Sequence, residues 1–156
     1  MFQIVVLKQI QFLPIGSYHY EAFVYPLFIL LLPFGMNVNL MMLIAFFTGL
    51  IIDGSYNTFG VHAASSLVLA VSRKRILNWV IPKGMNEDMV PSFQRLKFFL
   101  FLRYAALSLL VYLAFYYSMV FFAPVYFIDI MVKTLLSFIF SIFFTLILAA
   151  VLSGLD

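Results

Sequence analysis

In the sequence GLIIDGSYNTFGVHAASS, residues 49–66, a short polar turn separates two apolar segments. Asp53 ends the first segment and His62 opens the second. The chain on either side of the turn is almost entirely apolar. Either Asp53 and His62 carry out chemistry at a membrane surface, or they shape the turn and hold two helices together.

The composition predicts a membrane protein. Hydrophobic residues make up 65% of the chain and charged residues 10%, whereas a soluble domain is about half apolar and about a quarter charged. The 20 phenylalanines are more than one small water-soluble core of 156 residues would bury. A soluble helical bundle would need a polar face on each helix, and none is visible. The predicted fold class is therefore an all-α integral membrane protein.

The apolar segments predict how many helices cross the bilayer. A helix needs about 20 apolar residues to cross, or somewhat fewer where polar ends reach the interface. The apolar segment at the start of the chain, residues 1–13, would extend only about 20 Å along a helix, which is less than the thickness of the bilayer core. We expect one membrane domain, residues 1–156, forming a bundle of about six transmembrane helices with the first one short or truncated. The predicted spans are residues 1–13, 20–34, 38–52, 61–72, 98–122 and 128–152.

Most of the basic residues fall between two predicted spans. They are Arg73, Lys74, Arg75, Lys83, Arg95, Lys97 and, at the start of the next span, Arg103. Nucleic-acid binding is one interpretation of such a cluster. Between membrane spans the positive-inside rule favours a cytoplasmic loop beside anionic lipid. We therefore predict a basic cytoplasmic loop over 73–97 with a short interfacial helix around Trp79, and both termini in the cytoplasm.

The residues give little support to catalysis. The chain has no cysteine, which excludes disulfides, zinc–thiolate sites and thiol catalysis. A catalytic metal usually has three protein ligands, and the only histidine besides His62 is His19. The serines near His62 show no nucleophile-elbow pattern. We assign no catalytic, cofactor-binding or metal-binding residue, while proton or cation handling by Asp53 in a cavity stays open.

Small residues indicate close helix packing on both sides of the turn. Ala45, Gly49 and Asp53 are spaced four residues apart and share one helix face, a pattern that lets backbones approach closely in lipid. We expect the helix to end at Asp53 and Gly54, with the carboxylate bonding amides of the turn. His62 is expected to form a hydrogen bond between helices or within the turn. The predicted packing motif comprises Ala45, Gly49, Asp53, Gly60, His62, Ala63 and Ser66.

One charged pair is expected near the outward end of the last span. Asp129 and Lys133 are spaced i, i+4 with the acid first, which is the favourable order for a helical ion pair. We predict that they neutralise each other and reach outward to the interface.

The run from Asn37 to Arg73 resembles the core of the rod shape-determining protein MreD family. The likeness consists of a span ending in Gly-Leu-(apolar)2-Asp, a short polar turn, then Gly-(apolar)-His-Ala and a second span that ends in basic residues. The matching positions are Gly49, Leu50, Asp53, Gly60, His62, Ala63 and Arg73. The stretch YPLFILLLPFG, residues 25–35, and the two long later spans are similar to the layout of Bacteroidetes-like members.

This resemblance implies a function and a fold. The function would be that of a non-enzymatic scaffold of the cell elongation machinery in the bacterial inner membrane. It would bind MreC and link it to the peptidoglycan synthases RodA and a class B penicillin-binding protein, and indirectly to MreB, without a cofactor. The fold would be similar to the substrate-binding component of energy-coupling-factor transporters. A vitamin-like small-molecule binding subunit is therefore the alternative function, and an intramembrane enzyme the third.

Overall fold

A computed structural model describes residues 25–33, 35–80, 98–121 and 127–153. Within these ranges the secondary structure is helical, without strands, as the all-α prediction requires. The helices are α1 (Pro26–Leu30), α2 (Val38–Tyr56), α3 (Val61–Val80), α4 (Phe98–Phe121) and α5 (Phe127–Ser153).

Three of these helices are long and apolar enough to cross a membrane. They are α2, with 19 residues, α4, with 24, and the 22 residues of α5 from Phe127 to Leu148. α3 has 20 residues, about 30 Å of helix, but its second half carries three consecutive basic residues. The chain is therefore a membrane protein by the length and composition of its helices.

The first predicted spans are only partly described. Residues 1–24 lie outside the described ranges, and with them the span predicted over 1–13. Of the span predicted over 20–34, the described part forms only α1, which has five residues and ends at Leu30. The early end is consistent with Pro33, which disfavours a helical backbone at the residue before it. The described residues thus contain five helices, and the predicted six-helix bundle remains a prediction.

α3 extends further than the sequence predicted. α3 continues through Arg73, Lys74 and Arg75 to Val80, because no glycine or proline interrupts the chain before Pro82. The placement of residues 73–80 in a loop with a separate interfacial helix was therefore wrong. Residues 81–97, including Lys83, Arg95 and Lys97, lie outside the described ranges.

α2 and α3 pack with their backbones in direct contact at Gly49. A Cβ added to Gly49 would lie 2.5 Å from the Cα of Ala63 and 2.7 Å from its amide nitrogen. Ala45, on the same face of α2, is fully buried, and Ser66 and Ala70 are fully buried on α3. The small faces predicted from sequence therefore close on each other, and the absence of a side chain at Gly49 is what permits it.

α4 packs between α3 and α5. The hydroxyls of Tyr117 on α4 and Ser137 on α5 are 2.5 Å apart and join these two helices. The ion pair predicted between Asp129 and Lys133 is not among the described contacts. Instead, the Lys133 ammonium lies 4.4 Å from the centre of the Phe121 ring, where the π face attracts it.

Polar side chains near the bundle surface are satisfied within their own helices. The hydroxyls of Thr48, Ser55, Ser72 and Ser118 each donate to a carbonyl three or four residues earlier. A serine or threonine bonded in this way leaves no free donor toward hydrocarbon. Much of the remaining outer surface consists of large apolar side chains such as Ile51 and Ile128.

We expect Gly49→Ala to lower the free energy of unfolding by about 1–3 kcal/mol, because the new methyl group would overlap the backbone of Ala63. The matched control is Gly54→Ala, since a Cβ at Gly54 meets nothing within 4 Å. That control should be neutral or stabilising by up to about 1 kcal/mol, as alanine favours helix. Thermal unfolding in detergent compares them, and equal stability of the two variants would contradict the close approach.

Candidate functional site

α2 ends one turn later than predicted. The helix passes through Asp53 and Gly54 and stops at Tyr56, where Asn57 adopts a left-handed conformation with φ of 54°. The Asn57 amide donates to the carbonyl of Asp53 and so closes the last turn. Asparagine tolerates this conformation better than most residues and is common at helix ends. The prediction that Asp53 and Gly54 terminate the helix was therefore wrong.

The carboxylate of Asp53 caps the start of the next helix. Its Oδ1 accepts from the backbone amide of His62 at 3.0 Å and from the Thr58 hydroxyl at 2.5 Å. Its Oδ2 accepts from the backbone amide of Ala63 at 2.9 Å. These amides belong to the first turn of α3, where a helix has no acceptors of its own. The prediction that Asp53 bonds backbone amides of the turn region is confirmed.

Gly60 explains why the cap comes from another helix. Its carbonyl accepts the first helical bond of α3, from Ala64, so Gly60 occupies the N-cap position. An N-cap residue normally supplies a side-chain oxygen to the amides two and three residues on. Gly60 has no side chain and has φ of 77°, a conformation that glycine adopts readily. Asp53 fills this role across the turn, and its negative charge also favours the positive end of the helix dipole.

The imidazole of His62 joins α3 to α4 and to the residue preceding α1. Its Nδ1 lies 3.1 Å from the Tyr112 hydroxyl and 3.4 Å from the Tyr25 hydroxyl. Tyr25 also bonds to Tyr112 and, at 3.2 Å, to the Ser66 hydroxyl. The ring of Tyr116 packs against the imidazole with centroids 4.8 Å apart. The predicted interhelical hydrogen bond of His62 is therefore confirmed.

Arg73 forms a second polar centre in the other half of α3. Its side chain is 1% exposed and lies within α3, so the prediction that it belongs to a basic cytoplasmic loop was wrong. Each guanidinium nitrogen has an acceptor, and Nε donates to the Tyr104 hydroxyl at 2.7 Å. The acceptors of the two Nη atoms are the carbonyls of Leu30, Leu32 and Pro33 and the sulfur of Met41.

The guanidinium satisfies the carboxyl end of α1. A helix leaves its last carbonyls without amide partners. In hydrocarbon there is no water to donate hydrogen bonds to these carbonyls instead. Arg73 donates to the Leu30 carbonyl at 3.2 Å, and Tyr104 donates to the same oxygen at 2.9 Å. A positive charge at this place also favours the negative end of the helix dipole. No carboxylate among the described residues contacts Arg73, so backbone carbonyls supply the compensating negative charge.

Sequence reasoning named Arg73 but missed its burial, although a signal for it was present. Arg73 lies three residues after Ala70 and four before Leu77, so a continued helix puts all three on one buried face. Lys74 and Arg75 fall on the exposed side. The carbonyls that accept from Arg73, at the end of α1 and just after it, carry no sequence signal, because every residue has a backbone carbonyl. Tyr25 and Tyr104 were also missed as partners of these groups, since aromatic residues are too common in this chain to stand out.

The side chains at this site fasten helices to one another. The hydrogen bond between Asp53 and His62 runs through the backbone amide, whereas the imidazole Nδ1 faces the two tyrosines. The hydroxyl of Ser65 donates to the Val61 carbonyl in its own helix. In the part of the chain that the structure describes, no three histidine or acidic side chains come together as metal ligands.

Comparison of the chain with protein-family models, with curated proteins and with solved structures gives no match. The chain's own residues and the contacts between them are therefore the basis for assigning a function.

We expect Asp53→Ala to destabilise the protein by about 2 kcal/mol or more, because two buried amides of α3 lose their acceptor. Asp53→Asn keeps one carbonyl oxygen and should cost less. Asp129→Asn, which removes a carboxylate from the first turn of α5, is the control and should change stability by less than about 0.5 kcal/mol. Unfolding curves in detergent give the order of stability of the three variants. An Asp53→Ala variant as stable as the control would refute the capping role of Asp53.

We expect Arg73→Lys to be nearly as destabilising as Arg73→Ala, at about 3 kcal/mol, because an ammonium lacks the planar fork of donors that reaches several carbonyls at once. Arg75→Ala, at an exposed position two residues further along α3, should have little effect. The same unfolding assay in detergent compares the stability of these variants. Full stability of Arg73→Lys would show that charge alone matters at this position.

Proposed function

We propose that this chain is a non-enzymatic scaffold of the rod elongation machinery in the bacterial inner membrane, of the MreD kind. It would bind an MreC-like protein and link it to RodA and a class B penicillin-binding protein, and indirectly to the MreB filament. The resemblance over residues 37–73 supports this proposal. The observation that carries it is the structural use of the polar residues within that resemblance.

Those polar residues hold helix ends rather than surround a substrate. Asp53 caps α3, His62 joins α3 to α4, and Arg73 holds the end of α1. Gly49 allows α2 and α3 to touch. A scaffold needs a rigid shape more than a reactive group, and in lipid such hydrogen bonds and close contacts are what fix the arrangement of helices.

The apolar outer side of α5 also favours a scaffold. Large side chains recur there at three- or four-residue spacing and are 46–75% exposed, namely Ile128, Met131, Leu135, Ile139, Phe143 and Ile147. Among the described helices α5 packs chiefly against α4. Such a face is available to lipid or to the transmembrane helix of a partner.

The proposal includes an orientation. Tyr104 of α4 bonds to Arg73 of α3, and Tyr112 bonds to His62, so the two helices run antiparallel. Lys74, Arg75 and Arg103 thus lie toward the same end of the bundle. The positive-inside rule assigns that end to the cytoplasm. The turn between α2 and α3 would then face outward, and both termini would be cytoplasmic.

A transporter subunit that binds a vitamin-like molecule is the second candidate, with a fold similar to the substrate-binding component of energy-coupling-factor transporters. One observation favours it: the side chains of Tyr25, His62, Ser66 and Tyr112 converge between helices. Ligand sites typically place a few polar groups in apolar surroundings. Here, however, the four side chains bond to one another, which favours a packing role.

Crosslinking and copurification of the tagged protein from native membranes tests the proposal. We expect an MreC-like protein to be recovered, with less or none from Gly49→Leu, whose helix pair cannot close. Gly54→Ala is the control and should recover as much as the unmodified protein. Recovery of an energy-coupling ATPase pair or of a vitamin-like ligand would favour the transporter alternative.

Complementation in cells separates a structural role of Asp53 from a chemical one. Asp53→Asn keeps a capping oxygen, so we expect the variant to retain function in proportion to its folded fraction. Gly49→Leu should lose both expression and partner binding. The reverse outcome, with a well-folded but inactive Asp53→Asn and an intact Gly49→Leu, would contradict the scaffold. A hydrolase activity lost in both Asp53→Ala and His62→Ala would indicate an enzyme.

A further inference from the structure

The last two turns of α3 have one buried and one exposed side. Arg73 is 1% and Leu77 7% exposed, and both face the bundle. The residues that face outward are Lys74, Arg75, Asn78 and Trp79, with the Trp79 indole 88% exposed. Arg75 and Trp79 are one helical turn apart, as are Lys74 and Asn78, so the four form one continuous surface. We call it the α3 basic surface.

Among the described residues, the charged side chains around this surface are all basic. Arg103 is exposed and precedes Tyr104, whose hydroxyl bonds to Arg73, so Arg103 lies at the same end of the bundle. The carboxylates of the described residues are Asp53 and Asp129, and both lie toward the other end: Asp53 caps the start of α3 and Asp129 lies in the first turn of α5. Among the described residues, therefore, no carboxylate neutralises the α3 basic surface.

The position along the helix indicates what faces this surface. α3 is about 30 Å long, which equals the thickness of a bilayer core, and its start is fixed beside α2 at the opposite end. Its last turns therefore reach the boundary between hydrocarbon and headgroups. Tryptophan prefers that boundary, and lysine and arginine extend along their aliphatic stems to place their charges there.

We propose that the α3 basic surface binds the headgroups of anionic phospholipids. Lys74 and Arg75 donate to the phosphate oxygens, Asn78 adds an uncharged donor, and the Trp79 indole packs against the glycerol and upper acyl region. Arg73 contributes only to the local positive potential, because its donors are occupied by carbonyls. This lipid site is independent of the scaffold proposal, since lipid preference and partner capture are measured separately.

Trp79 is the only tryptophan in the chain and provides the test. The full chain is reconstituted in phosphatidylcholine nanodiscs, and Trp79 fluorescence is quenched with bromine-labelled phosphatidylglycerol or, at equal mole fraction, bromine-labelled phosphatidylcholine. We expect phosphatidylglycerol to be preferred by about fivefold or more, since each basic residue near an anionic lipid contributes about that factor. The preference should fall at about 0.5 M salt, where charges are screened.

Variants assign the preference to this surface. Lys74→Gln with Arg75→Gln should bring the preference to about one, while the charge-conserving exchange Lys74→Arg with Arg75→Lys should keep it. Lys133→Gln removes the same charge at the other end of the bundle and should change nothing. If the double variant does not fold, as judged by circular dichroism, each single variant gives the same test with a smaller change.

The proposal is overturned if both labelled lipids quench the unmodified protein equally. It is also overturned if the folded double variant keeps the preference. Equal quenching combined with binding of an acidic peptide would instead identify a partner protein's acidic segment as the occupant.

Discussion

In hydrocarbon no water is available to form hydrogen bonds with the unpaired backbone groups at a helix end, and this constraint governs the structure around α3. The amides that begin α3 bond to the carboxylate of Asp53. The carbonyls that end α1 bond to the guanidinium of Arg73. An unsatisfied backbone group in lipid costs several kcal/mol, so each of these side chains supplies a partner that water cannot supply there. Asp53 and Arg73 also match the dipoles of the helix ends they contact.

The two halves of the α2–α3 hairpin depend on each other. Asp53 reaches the amides of α3 only because the helix backbones touch at Gly49, one turn earlier. Gly60 in turn leaves the N-cap position open for a carboxylate from outside the helix. The aspartate and the histidine of this turn both make hydrogen bonds that hold neighbouring helices together. His62 connects this hairpin to a third helix, since its imidazole forms a hydrogen bond with Tyr112 of α4.

Composition and spacing predicted what depends on local pattern. The all-helical membrane class, the two long final helices and the small face around Gly49 follow from apolar runs and four-residue periodicity. Helix ends were harder, because Asp53 looked like a terminator while the turn actually begins at Asn57. Arg73 was placed in a loop because a charged side chain, taken by itself, is expected to face solvent. Its partners are carbonyls of a segment about 40 residues away in sequence, and backbone atoms look the same at every position.

Asp53 serves as the missing N-cap of α3, and amide hydrogen exchange measures this role at the amides themselves. The amides of His62 and Ala63 occupy first-turn positions, which exchange freely in a helix without a cap. In nanodiscs we predict that they are protected as well as amides in the middle of α3, and that Asp53→Ala speeds their exchange by about tenfold or more while α5 is unchanged. Rapid exchange at His62 and Ala63 in the unmodified protein would contradict the account.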